Sequence, residues 1–145
     1  MIERTIMGAA LLALATGAAP VPTGSELDLT FTNLRSAKGS LLVCITADPA
    51  YFPDCTEDPD KRFLTVPASK PILIVSGLAQ ARYAVSVHHD ENGNDKLDTF
   101  AGIPKEGIGF SRNPKITFGP PGFDKVALAI GPGVTTQTVR MRYFL

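Results

Sequence analysis

No charge of either sign predominates in this chain. Lys plus Arg number 14, Asp plus Glu number 14, and the formal net charge is +0. The basic residues are scattered, so the chain lacks the electrostatic footprint that nucleic acid or an anionic membrane surface selects. Long apolar runs are scarce as well. The run from Ile6 to Leu14 falls short of the about 20 residues a helix needs to span a bilayer. Cysteine is limited to Cys44 and Cys55, with none beside the small residues that follow that run, so a bacterial lipoprotein anchor is not indicated. No window repeats apolar residues at i, i+3, i+4 and i+7 over three turns, which excludes a helical core. A Gly-x-Ser-x-Gly elbow is missing around Ser111. Gly107-Ile108-Gly109 is followed by no Gly-Lys-Ser/Thr, so neither a serine-hydrolase elbow nor a phosphate cradle is written here.

What is present begins with the order of a secretory signal peptide. Arg4 supplies a basic start, Ile6 to Leu14 an apolar centre, and Ala15 to Ala19 small residues before Pro20. A signal peptide over residues 1–19 is expected, followed by a single domain over residues 25–145 in the periplasm or secreted. No membrane span is expected in the mature chain. In that oxidising compartment Cys44 and Cys55 are expected to pair, stapling the segment from Ile45 to Asp54 onto its strand. Their spacing fits neither a zinc knuckle nor a redox Cys-x-x-Cys.

The mature region reads as strands. Leu27, Leu29 and Phe31 alternate with Asp28, Thr30 and Thr32, the period of a strand with one buried face. Ser40 to Ala47 is a more continuous apolar run, as in a central strand. Arg62 to Val66 and Ile72 to Val75 are short strands, and Ile116 to Phe118 is a further candidate. Across Arg82 to His89, Tyr83, Val85, Val87 and His89 share one face while Ala84, Ser86 and His88 share the other. Lys125 to Ile130 and Thr135 to Phe144 predict a hairpin turning at Gly131-Pro132-Gly133. The expected fold is all-β, an antiparallel sandwich of about seven or eight strands, immunoglobulin-like or prealbumin-like.

Chemistry concentrates after the clearest strand. Asp90, Asn92, Asn94 and Asp98 stand at the first, third, fifth and ninth positions of a loop, the spacing by which side-chain oxygens curl around calcium. Lys96 falls where a backbone carbonyl serves, and Leu97 where an apolar residue anchors the loop. Asp95 replaces the usual glycine at the sixth position; aspartate tolerates the left-handed conformation better than most residues. Ala101 stands where a bidentate glutamate is normal, and Glu106 supplies that ligand if the chain folds back. The metal set is therefore Asp90, Asn92, Asn94, Lys96, Asp98 and Glu106, with modest affinity expected. The simpler reading is an Asn92-Gly93 hairpin turn.

The segments His89-Asp90-x-Asn92-x-Asn94-x-x-Leu97-Asp98 and Gly102-x-Pro104-x-Glu106-Gly107-x-Gly109-Phe110-Ser111 together resemble the signature of an uncharacterised bacterial family, the domain of unknown function numbered twenty-one forty-one. The likeness extends to the opening strand, Lys38-Gly39, Pro121-Gly122-Phe123 and the closing strand. The family's usual Asn-Gly is replaced here by Asn94-Asp95. The resemblance implies a secreted or periplasmic β-sandwich and brings no activity with it.

The leading expectation is an exported, non-enzymatic binding or structural module of the cell envelope, with a calcium-stabilised loop and an unknown protein or glycan ligand. The alternative is a periplasmic hydrolase using His88 or His89 with Glu106 as acid–base groups. Adjacent strand residues point to opposite faces, so both histidines cannot easily serve one site.

Overall fold

A computed structural model describes residues 24–145 together with Gly17. Apart from Gly17, the expected signal peptide over residues 1–19 lies outside the described residues. Ten strands and one short helix follow in order: β1 (Ser25–Thr32), β2 (Ser40–Thr46), β3 (Arg62–Pro67), β4 (Ile72–Ser76), β5 (Ala81–Asp90), β6 (Thr99–Phe100), β7 (Ile103–Pro104), β8 (Gly107–Phe110), α1 (Phe123–Val126), β9 (Leu128–Ile130) and β10 (Gly133–Arg140). One sheet has the order β10-β1-β4; the other runs β3-β2-β5-β8, with β9 also on β5. The strands β6 and β7 form a separate small ribbon.

The two larger sheets pack face to face, as expected for an all-β sandwich. Leu27, Leu29 and Phe31 of β1 meet Leu41, Val43 and Ile45 of β2 and Val85 and Val87 of β5 in one core. Each such side chain, fully buried, contributes about 1.5–3 kcal/mol of transfer free energy. Among the described residues every ladder between strands is antiparallel except β1 with β10, which is parallel from Ser25↔Gly133 to Thr32↔Arg140. Beyond β10, Arg142 bridges Ile108 of β8, with backbone bonds of 2.8 and 2.9 Å in the two directions. The closing segment thus leaves one sheet and ties itself to the other.

Two local expectations are corrected. The segment before Gly131 does not form a hairpin with the closing strand. It begins as the α1 turn, and β9 then pairs with Ala81–Tyr83 of β5, while β10 crosses to β1. The reversal at Gly131-Pro132-Gly133 therefore switches sheets. Ile116 to Phe118 is not a strand either. Ile116 instead packs with Phe52, Ile108 and Phe123 against Ala84, Phe110 and Val126, a second small cluster over the outer face of β5.

Cys44 and Cys55 form a disulfide with Cα atoms 6.1 Å apart. It closes a loop of sequence separation 11, which by chain entropy alone is worth roughly 2–3 kcal/mol. Inside that loop Asp48 and Asp54 cap the two 3-10 turns Pro49–Tyr51 and Cys55–Glu57, their carboxylates accepting from Ala50 and Thr56 N–H. The capped, stapled loop lies beside the outer face of β2.

Candidate functional site

Strand alternation decides where the two histidines go. Odd-numbered residues of β5 face the core, so His89 is 0 % exposed. Its Nε2 lies 2.7 Å from the Lys38 carbonyl and its Nδ1 lies 2.7 Å from the Tyr143 hydroxyl. A carbonyl only accepts, so Nε2 donates; in the neutral ring, Nδ1 then accepts from Tyr143. This histidine cross-links the chain between β1 and β2 to the closing segment. Tyr143 fits over β8 because residue 107 is glycine; a Cβ there would sit 2.5 Å from the Tyr143 ring.

His88 points the other way. Its Nε2 is 2.7 Å from Glu106 Oε2. Glu106 is buried and also accepts N–H bonds from Glu91 at 3.1 Å and Asp98 at 3.2 Å. Of the two histidines only His88 meets Glu106, and that carboxylate braces the loop from Asp90 to Asp98 from within the fold.

The loop itself is ordered by Asp90. Its residue is 1 % exposed, and its carboxylate accepts from Gly93 N (2.8 Å), Asn94 N (3.2 Å) and Asp95 N (2.8 Å). Asp95 adopts φ 57°, the left-handed conformation. Asn92 Nδ2 donates to Asp98 at 2.7 Å and Asn94 Nδ2 donates at 3.1–3.2 Å. Asn92, Asn94 and Asp98 are thereby brought together at their tips, whereas Asp90 faces backbone N–H groups. Lys96 donates its N–H to Asn94 Oδ1. Leu97 does not reach the core: it is 44 % exposed and lines a groove on the outer sheet face. Among the described residues no three His, Cys, Asp or Glu side chains group as metal ligands; two of the three converging side chains are amides.

A second constellation escaped the sequence reading. Arg35 donates to Glu91 Oε1 at 2.8 Å, to the Lys105 carbonyl at 2.8 Å and to the Leu145 carbonyl at 2.8 Å. Its guanidinium lies over the Tyr143 ring, 4.6 Å from the centroid. Ser36 donates to the other Glu91 oxygen at 2.7 Å. No motif predicts this, since Arg35 and Ser36 meet hydrogen-bond partners 55 to 110 positions further along the chain.

Burial by itself would raise the Asp90 carboxyl, but the N–H groups of Asp95, Asn94 and Gly93 outweigh it and hold the group below its usual 3.8. Burial likewise opposes ionisation of Glu91, and Arg35 and Ser36 reverse that effect, holding it below 4.5. A carboxyl depressed by folding stabilises the native state above its unfolded pKa, and loses that contribution as pH falls through the folded value. Urea midpoints are therefore expected to hold level from neutrality to about pH 5 and to drop below about pH 4. Glu91→Gln should shrink that drop, with a neutral-pH cost of about 1 kcal/mol or less because Arg35 is partly exposed. Identical acid profiles for wild type and Glu91→Gln would remove Glu91 from this account.

The hydroxyls nearby are committed to structure. Ser111 is fully buried, with its hydroxyl placed between Val85 N and the Val126 carbonyl. Ser86 donates to the Pro53 carbonyl at 2.7 Å.

The bacterial family described as "Uncharacterized protein conserved in bacteria (DUF2141)" matches this chain over residues 29–138. The chain belongs to that family. No curated protein and no solved structure matches it.

Proposed function

We propose that this member of the family is an exported, non-enzymatic binding module of the cell envelope whose loop from Asp90 to Asp98 is stabilised by calcium. The observation that carries the reading is the meeting of Asn92, Asn94 and Asp98 at 2.7–3.2 Å. The amide nitrogens now satisfy the Asp98 carboxylate. Half-turn rotation of each carboxamide replaces nitrogen by oxygen at the same place, giving up the N–H bonds that Asn92 Oδ1 accepts from Asn94 and Asn94 Oδ1 accepts from Lys96. A cluster of oxygens then surrounds one point, which only a cation makes favourable. Asp90 fits this role differently: its N–H bonds curl the backbone so that the alternate side chains converge.

Affinity is expected to be modest. Asp98 is the one carboxylate at the meeting point, while Glu106 is held by His88 and two backbone N–H groups. A Kd on the order of 1 mM suits an extracellular module. Support for export comes from the Cys44–Cys55 disulfide, which persists in oxidising compartments. No helix among the described residues is long and apolar enough to cross a membrane. The non-enzymatic reading draws on the buried Ser111 and the engaged Ser86, whose hydroxyls are fixed by the fold.

Thermal melting tests the ion. Calcium at about 10 mM should stabilise the domain over its chelated form by about 1.4 kcal/mol, a Tm rise of roughly 5 °C. Asp98→Ala should fold normally and lose that response, since its carboxylate contacts only the two exposed amides. Superimposable melts in chelator and in calcium would reject the ion.

A further inference from the structure

An unpaired strand edge is a template for another strand, and folded proteins normally shorten, charge or cover it. Most edges here are treated in that way. The free side of β10 is closed by Asn113, whose carboxamide donates to the Thr138 carbonyl at 2.8 Å and accepts the Arg140 N–H at 2.7 Å. The β8 edge exchanges backbone bonds with Arg142. In the same sheet β9 is three residues long, and β3 runs from Arg62 to Pro67, a residue with no N–H. Only β4 lacks such protection among the described residues: Ile72-Leu73-Ile74-Val75-Ser76 carries no charge and no proline. We propose that β4 is the interface at which two copies of this chain join, edge to edge and antiparallel. The proposal stands apart from the ion and from export.

The ladder fixes which groups are free. Phe31 N–H donates to the Pro71 carbonyl at 2.9 Å and Gly77 N–H donates to the Ser25 carbonyl at 3.0 Å, at the two ends of the β1–β4 pairing. Antiparallel strands exchange bonds at alternate residues, so Leu73 and Val75 turn their backbone groups to β1. Ile74 and Ser76 then present N–H groups to the outside, and Ile72, Ile74 and Ser76 present carbonyls. The Ile72 N–H is held by the Lys70 carbonyl at 2.8 Å. Ile72 and Ile74 are also 54 % and 59 % exposed.

A second copy matches this edge about a twofold axis at Ile74. Each Ile74 N–H then donates to the other Ile74 carbonyl, and each Ser76 N–H to the other Ile72 carbonyl. The two Ile74 side chains lie side by side, the kind of cross-strand pair that stabilises a sheet. Charge agrees. With ideal strand spacings, the Cα atom of Lys70 comes within about 12 Å of that of the partner's Glu26, while the two Asp28 residues stay about 14 Å apart. The nearest charges across the joined sheet are thus opposite in sign. Five residues from each copy bury less than the about 1,000 Å² of a lasting interface. The Kd is therefore expected on the order of 0.1 mM. Growth stops at two copies, because the far edge of each sheet is already closed by Asn113.

Sedimentation velocity of the full chain, from about 5 μM to about 1 mM, brackets that constant. A shift from monomer to dimer is expected, with nothing larger. Ile74→Lys sets like charges face to face on the axis and should weaken association by about tenfold or more. The introduced ammonium also stands beside Asp28, the register partner of position 74, whose Oδ1 is buried without a hydrogen-bond partner, so the monomer keeps its fold. Thr136→Lys is the control: it adds the same charge beside Asp28 from the β10 side and should leave association unchanged. Hydrogen exchange on the wild type supplies a second reading. Amide protons of Ile74 and Ser76 should exchange freely in dilute samples and slow about fivefold at the highest concentration, while those of Leu73 and Val75 stay protected throughout. A chain still monomeric at the top of that range leaves this edge to a foreign strand and overturns the proposal. Species beyond the dimer, association that survives Ile74→Lys or falls equally with Thr136→Lys, or protection at Phe63 and Thr65 in place of Ile74 and Ser76 would each overturn it too.

Discussion

Asp90→Ala is expected to destabilise the domain by roughly 2–4 kcal/mol, because hydrogen bonds to a charged group contribute about 1.5–3 kcal/mol each and water recovers part of the loss. The carboxylate holds three successive N–H groups, of Gly93, Asn94 and Asp95. Without it those donors turn to solvent, which the exposed loop permits, and the left-handed Asp95 loses the bond that fixes it. Asn92 and Asn94 then no longer meet Asp98, so the calcium response should vanish together with the stability. Asp90→Asn keeps one accepting oxygen and places an amide against N–H donors, so its cost should fall between those of wild type and alanine. Urea midpoints measure the loss, and hydrogen exchange locates it at Gly93 to Asp95. A midpoint within error of wild type for the alanine variant would deny Asp90 its organising part.

Gly39→Ala is expected to cost about 3 kcal/mol or more, from a side chain forced into an incompatible backbone conformation and into its neighbours. Gly39 has φ +67°, where an L side chain is strained, and an added Cβ would collide with the Asp90 carbonyl and lie 2.8 Å from Glu91 Cα. Neither neighbour can give way cheaply. Asp90 pairs with Ser40 at the end of the β2–β5 ladder, and the Gly39 carbonyl accepts the Ala68 N–H at 3.1 Å. Pushing this contact apart also shifts Lys38, whose carbonyl holds the buried His89. Chemical denaturation should show a lower midpoint with an unchanged slope, the signature of altered stability rather than altered compactness. A loss below about 1 kcal/mol would show that the chain between β1 and β2 adapts, and that the close approach is not required.

Much of the sandwich was legible because alternation is a local signal. Leu27, Leu29 and Phe31 name the buried face of β1 without reference to any partner, and the same holds for Tyr83, Val85, Val87 and His89 in β5. Partner choice is not local. Gly131-Pro132-Gly133 permits a hairpin and also permits a change of sheet, and the parallel seat beside β1 wins. There β10 places Val139 beside Phe31 in register, adding it to the core. Ile116 to Phe118 misled for a related reason: an apolar triplet can lie as a lid on a sheet as readily as within one.

The site was readable in part. The spacing of Asp90, Asn92, Asn94 and Asp98 gathers alternate polar residues in one loop, and three of them, Asn92, Asn94 and Asp98, meet at their tips through amide nitrogens on a carboxylate. It did not foretell that Asp90 would hold backbone N–H groups, or that Leu97 would turn toward the outer face. Opposite orientation of His88 and His89 followed directly from the strand period. The pairing of His88 with Glu106, the Arg35 cluster and the groove depend on segments far apart in sequence, so no residue pattern announces them.

The side-by-side, same-direction course of β1 and β10 has a mechanical consequence. Tension applied to the chain before Ser25 and beyond Arg140 draws these neighbours past each other lengthwise. All eight register pairs then share the load at once instead of opening one after another as in a peeled hairpin. The geometry is that of a shear clamp, and it suits a domain that must stay folded while its two ends are pulled apart.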